Sequence, residues 1–272
     1  MKEKILTLFK TGLEPNMLLA EQLADAAQID LLELLQPYLP LLESNVPSLE
    51  AYKVLFAKAS FLLNDKKLQQ LPPKLEELPH LSQLVLSENH IKHLGASFFQ
   101  FPNLQFLLLN KNRIAQLPAD LKGWEKIFFL GLADNRLSNL PDAIGDLRHL
   151  LTLLLSNNRL QSLPSTVGNW QELTHLHLSH NQLLALPPEM EGWKSIKRLN
   201  LSHNKLQYLP ESLGQLQTLQ HLDLSNNPLK AFPASLGQLT QLKELQLQQV
   251  QLTPILLQQL QQQLPNTTIK LH

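Results

Sequence analysis

Hydrophobic positions return every 23 residues over most of the chain. Blocks of that length begin at Leu81, Leu104, Ile127, Leu150, Leu173, Ile196, Leu219 and Leu242, and each opens on the spacing LxxLxL, followed in all but the last by xxN. The fourth and sixth positions are leucine throughout, from Leu84 and Leu86 to Leu245 and Leu247. Residues two apart share one face of a strand, so each block predicts a short strand with its leucines turned inward. Asn89, Asn112, Asn135, Asn158, Asn181, Asn204 and Asn227 fill the ninth position. An Asn carboxamide carries both donors and an acceptor, which suits it to backbone groups buried between stacked turns. The second half reads LxxLPxxLGxLxx, with Pro118, Pro141, Pro164, Pro187, Pro210 and Pro233 in one column and Gly95 in their place in the first of these blocks. Pro and Gly set so close exclude a long helix and predict a short 3₁₀ turn or an extended segment. A degenerate block near Lys58 keeps Phe61, Leu63, Leu68, Leu71 and Pro72 but has Lys66 where Asn should stand, and the last block has Val250 there. Terminal repeats face solvent on one side, so frame failures at both ends are expected. Nine repeats over 58–253 are predicted, their strands stacked into one parallel sheet along a ladder of roughly 40 Å.

The flanks lack this frame. Residues 1–57 predict helices over Glu3–Lys10, ended by Gly12, over Pro15–Ala27, over Leu31–Leu35 capped by Asp30, and from Ser48 to Ala57. In the second, Met17, Leu18, Ala20, Leu23, Ala24 and Ala27 follow a helical period. Pro37 and Pro40 interrupt after the third. The segment is read as a helical cap over the first strand, with a separate recruitment module as the alternative. Residues 254–272 predict a closing cap. Thr253-Pro254 gives an N-cap and first position, Ile255–Leu264 a helix with Leu256, Leu257, Leu260 and Leu264 inward, and Ile269 and Leu271 a last strand.

The frame LPxxLGxLxxLxxLxLSxN resembles the leucine-rich repeat superfamily, most closely the 23-residue intracellular type related to the Ras-group proteins and found in bacteria. The resemblance covers roughly Lys58–His272. It implies an α/β solenoid, a curved horseshoe with a parallel concave sheet. It also implies protein–protein recognition, with GTPases or other signalling proteins as one partner class.

Composition narrows the function. There are 23 basic and 23 acidic residues and no net charge, against the basic excess that nucleic acid or anionic membrane requires. The chain has no cysteine, which excludes disulfides, thiolate metal sites and cysteine nucleophiles. No apolar run nears the ~20 residues of a membrane span. Met1–Lys10 has an apolar core of only Ile5–Phe9, short of a secretory signal, so a cytoplasmic protein is expected, with non-classical export left open. No phosphate loop, GxGxxG, HExxH or GxSxG motif occurs, so no enzyme and no cofactor are expected.

Function then falls to strand positions that the frame leaves free. The early repeats place Val85, Phe106, Leu108, Phe129 and Leu154 outward, where architecture demands nothing apolar. Such a patch suggests an interaction surface. The later repeats place His175, His177, Arg198, Asn200, His221 and Asp223 there, with His180 and His203 in adjacent turns. The leading expectation is a non-catalytic scaffold. Its apolar strip would anchor a protein partner and its polar set would fix register. Two alternatives stand beside it. One is a metal or small-ligand site around His175, His177 and His221, against which the ~10 Å between strands two apart counts. The other is self-association of the apolar patch, and the oligomeric expectation is a monomer or weak dimer.

Overall fold

The computed structural model describes residues 1–42, 48–78 and 80–271. Positions 43–47 of the expected N-terminal cap and the final residue of the expected C-terminal cap lie outside them. Ten strands form one sheet in chain order, every neighbouring pair parallel. They are β1 (Ser60–Leu62), β2 (Gln83–Val85), β3 (Phe106–Leu108), β4 (Phe129–Gly131), β5 (Thr152–Leu154), β6 (His175–His177), β7 (Arg198–Asn200), β8 (His221–Asp223), β9 (Glu244–Gln246) and β10 (Thr268–Lys270). Partners across strands β1 to β9 differ by 23 positions, as Phe106 and Phe129 do. The inward leucines Leu84, Leu107, Leu130, Leu153, Leu176, Leu199, Leu222 and Leu245 are buried in one continuous core. On the opposite side, 3₁₀ segments such as Asp142–Asp146 and Ser165–Asn169 follow the Pro column. This bulkier back, set against strands at ~4.8 Å spacing, curves the solenoid toward the strand face. Trp124, Trp170 and Trp193 are fully buried. Their indole N–H groups donate to the carbonyls of Phe98, Ile144 and Val167.

The Asn column forms a ladder. Asn158 Oδ1 accepts the Leu137 amide at 2.9 Å, while its Nδ2 donates to Leu132 O at 2.9 Å and Leu155 O at 3.0 Å. Asn181 repeats the pattern and donates to the same Leu155 carbonyl at 2.9 Å. Each carboxamide therefore serves the repeat before it. That explains Lys66: no repeat of this kind precedes it, and its own amide is taken by Asn89. The residue just before each Asn position is left-handed. Asp65, Glu88, Lys111, Asp134, Asn157, His180, His203, Asn226 and Gln249 all have φ between 50° and 60°.

At the N-terminus lie α1 (Lys2–Lys10), α2 (Glu14–Ala26), α3 (Leu31–Leu35) and α4 (Leu49–Ala57). Asp30 and Ser48 cap α3 and α4. Pro37 and Pro40 do not end the chain's helical path as expected, because a 3₁₀ helix runs through both, Gln36–Leu41. In α2 the buried residues are Met17, Ala20 and Ala24, whereas Leu18 is exposed, since α1 covers only one side of it. Phe9 and Tyr38 meet Phe56 edge-on at 5.7 and 5.0 Å. Gly12 has φ +66°, and a Cβ there would lie 2.4 Å from Phe56 O, so the α1–α2 turn requires glycine. Glu77 joins this cap to the first repeat, accepting from Tyr38 and pairing with Lys10 and Lys74. Burial opposes its ionisation, but the bonds from Lys10, Lys74 and Tyr38 outweigh burial and hold its carboxyl at about 2, below the ordinary 4.5. At the other end, Thr253 caps α5 (Pro254–Gln263), and β10 closes the sheet on β9. Leu260 and Leu264 are buried as expected, while Leu256 and Leu257 are only half-buried.

Asn158→Ala orphans the Leu137 amide and removes one of two donors from two carbonyls, and it should cost about 2–4 kcal/mol in urea unfolding. Asn157→Gly, beside it at a left-handed position, should leave stability unchanged or raise it. Glu77 has a depressed folded-state pKa, so its contribution is complete above pH 4.5 and fades as pH falls toward 2. The gap in melting temperature between wild type and Glu77→Gln should therefore shrink across that window.

Candidate functional site

The third and fifth residues of each block, the ends of every strand, point away from the leucine core. They form two parallel columns on the concave face. Neighbours within a column stand one strand apart, so residues 23 apart in the sequence touch. Phe106 and Phe129 stack with ring centroids at 4.7 Å and an interplanar angle of 27°. Leu108 and Leu154 flank Gly131 in register. A Cβ at Gly131 would lie 2.5 Å from Leu108 Cδ2 and 2.9 Å from Asn110 Oδ1. Glycine here lets Leu108 lean over the backbone and lets Asn110 accept the Ala133 amide.

One expectation needs correction. The apolar strip is less exposed than the sequence implied. Val85 is buried at 9% exposure, and Phe106, Leu108, Phe129 and Leu154 are half-buried, because large side chains in adjacent strands cover one another. The strip's open end is Leu62, exposed at 67%. The sequence reading did not single it out.

The later strands gather the polar residues as the columns required. His175, Arg198 and His221 are consecutive in one column, and His177, Asn200 and Asp223 in the other. His177, Arg198, Asn200, His221, Asp223 and Glu244 line an open hollow of about 430 Å³. Arg198 is exposed, and its guanidinium makes no hydrogen bond or ion pair among the described residues. The nearby carboxylates are engaged elsewhere: Asp223 accepts the Ser225 amide at 3.0 Å, and Glu244 pairs with Lys270 at 2.9 Å and takes a bond from Gln246. Burial first, then the Arg198 and Lys197 cations, push the His175 pKa down. Burial, His175 and Arg198 do the same to His177. Thr174 was not foreseen. Its hydroxyl donates to Leu151 O at 2.7 Å and lies 2.9 Å from His175 Nδ1. This contact anchors the His175 ring at Nδ1. His180 and His203, both exposed, stack at 3.9 Å and 12° beyond the strand ends. Among the described residues no three His, Asp or Glu side chains converge as a metal site. No helix among them is long and apolar enough to cross a membrane.

The period, the Asn ladder and the single parallel sheet define a repeat solenoid that presents a strand face. A family model described as leucine rich repeat matches residues 59–114 and 171–229. The chain is a leucine-rich repeat protein. Among solved structures it is similar to a leucine-rich repeat protein of Leptospira interrogans, with 37% identity and a TM-score of 0.71 over 78% of this chain and 53% of that one. It is also similar to the plant peptide hormone receptor RGFR1 in complex with RGF2, with 26% identity and a TM-score of 0.65 over 78% of this chain and 35% of that one. A third is the ectodomain of an Arabidopsis thaliana membrane receptor kinase in complex with CASPARIAN STRIP INTEGRITY FACTOR 2, with 26% identity and a TM-score of 0.53 over 69% of this chain and 27% of that one. The chain thus spans about half the length of the first relative and about a third or less of the receptors. No curated protein matches its sequence.

The cationic surroundings set a measurable order. In an NMR titration His175 and His177 should both protonate below the ordinary 6.5, and Arg198→Gln should raise both midpoints, since it removes a positive neighbour from each.

Proposed function

We propose that the protein is a non-catalytic interaction scaffold that binds a protein partner on its concave strand face. One observation carries this reading: Arg198 stands unpaired on the sheet, one strand from His175 and His221 and continuous with the Phe106–Phe129 stack. None of these side chains has a structural duty, because the core and the Asn ladder are complete without them. Phe106, Leu108, Phe129 and Leu154 anchor the partner. Val85 backs them from below. His175, His177, Arg198, Asn200, His221 and Asp223 set its register and specificity. Two relatives in the comparison were solved with RGF2 and CASPARIAN STRIP INTEGRITY FACTOR 2 bound, which supports recognition by this class of solenoid. The proposal carries a cytoplasmic setting and a partner drawn from GTPases or other signalling proteins, both on family analogy.

Immobilised wild type should retain a protein from extract of its own source cell. Phe106→Glu/Phe129→Glu should lose it, and His177→Glu/Arg198→Glu should lose it or exchange it for another. A retained protein indifferent to both variants would move the site to α1–α4 or to the convex side. A wild-type protein that instead doubles its mass in light scattering, with Phe106→Glu/Phe129→Glu restoring the monomer, would favour self-association through the strip.

A further inference from the structure

On the strand face Glu244 pairs with Lys270 at 2.9 Å, and Asp223 accepts the Ser225 amide at 3.0 Å. The Arg198 guanidinium has no such partner among the described residues. Its column neighbours on both sides are histidines, His175 on β6 and His221 on β8, and His177 shares its hollow. A guanidinium presents its donors in a planar fork that matches a carboxylate. The bare nitrogen of neutral His175 is an acceptor, and it repels an anion unless it takes up a proton. Thr174 anchors that ring at Nδ1.

We infer that the hollow around Arg198 receives a carboxylate of an acidic partner segment, and that binding is coupled to proton uptake at His175, with His177 and His221 adding to it. This rests on the strand-face reading above. In the empty hollow, Arg198 discourages protonation of both β6 histidines. A bound carboxylate offsets that charge and restores their affinity for the proton, and by linkage a lower pH must then tighten the carboxylate. The charged and titratable groups around β6 agree with this direction. β5 offers only Thr152 and Leu154, so no acid faces the histidines from that side. On β7 stand Arg198, with Lys197 before it, and on β8 His221 and Asp223, the acid already bonded to Ser225. Glu244 on β9 is held by Lys270, and His180 and His203 lie past the strand ends.

The test uses the full chain and a fluorescein-labelled octaglutamate peptide, read by anisotropy at pH 7.5, 6.5 and 5.5, with inorganic sulfate as competitor. Octaglutamate should bind more tightly as pH falls, by at most about tenfold per pH unit for each proton taken up. Arg198→Gln should weaken it at least tenfold at every pH. His175→Gln should retain weak binding and flatten the pH dependence, while circular dichroism stays that of wild type. Calorimetry in two buffers of different ionisation heat should show proton uptake by wild type and less by His175→Gln. Sulfate that binds as tightly as the peptide would overturn the acidic-segment assignment in favour of a free anion. Equal binding to wild type and Arg198→Gln, no binding at any pH, or affinity indifferent to pH would each overturn the inference. A partner captured by wild type and lost by Phe106→Glu/Phe129→Glu, alongside any of these, would leave the strand-face reading standing without the carboxylate pocket.

Discussion

The structure depends on how buried backbone is satisfied where one repeat turns into the next. A solenoid of short turns hides carbonyls and amides that no helix or ladder can reach, and each orphan would cost of the order of 1–3 kcal/mol. The Asn column solves this once per repeat. Its carboxamides and the carbonyls of Leu86, Leu109, Leu132, Leu155, Leu178 and Leu201 alternate in one continuous run, each carbonyl accepting from two asparagines. Such chains polarise along their length. They also impose the period. An insertion between two asparagines would break contacts in both repeats, which is why 23 is held without exception from Leu81 to Leu242.

That constraint sorts every other position. The residue before each Asn must turn the chain left-handed, so it is Asp, Glu, Lys, Asn, His or Gln and never β-branched. The inward strand positions must be apolar. The third and fifth residues of the block are released on the strand face, and the eighth accepts any side chain that tolerates the left-handed turn; the stacking fixes the neighbours of all three. Function on this fold is consequently written as columns. Phe106 on Phe129, Lys111 on Glu88 and His180 on His203 are each pairs 23 apart.

The same logic explains what the sequence disclosed. Repetition made the leucine and Asn columns, the parallel sheet, the closing strand and the grouping of His175, Arg198 and His221 legible, because eight aligned copies average out local noise. The left-handed column was also visible in its residue types, and it went unread because no single one of them demands that conformation. Burial was harder. Whether Val85 faces water depends on the size of the side chains on the strands beside it, and Gly131 matters only because Leu108 leans across it. The cap was the least legible part. Glu77 finds Tyr38 and Lys10 across 39 and 67 positions with no period to announce them, and α3 passes into a 3₁₀ helix where two prolines suggested a break.

Net neutrality also means something different in the fold than in the composition. Charges are matched locally at the places the architecture must hold together: Glu77 with Lys10 and Lys74 at the cap, Lys53 with Glu21 beneath it, Lys270 with Glu244 at the closing strand. These contacts take their cations and anions out of the electrostatics of the open face. What is left near the middle of the sheet is a guanidinium among imidazoles, with its nearest acids already engaged. An exposed arginine costs little in water, so stability does not require this arrangement and does not forbid it. The position is one of the few where the repeat leaves chemistry free, and the chemistry placed there is cationic and able to gain further charge by taking up protons.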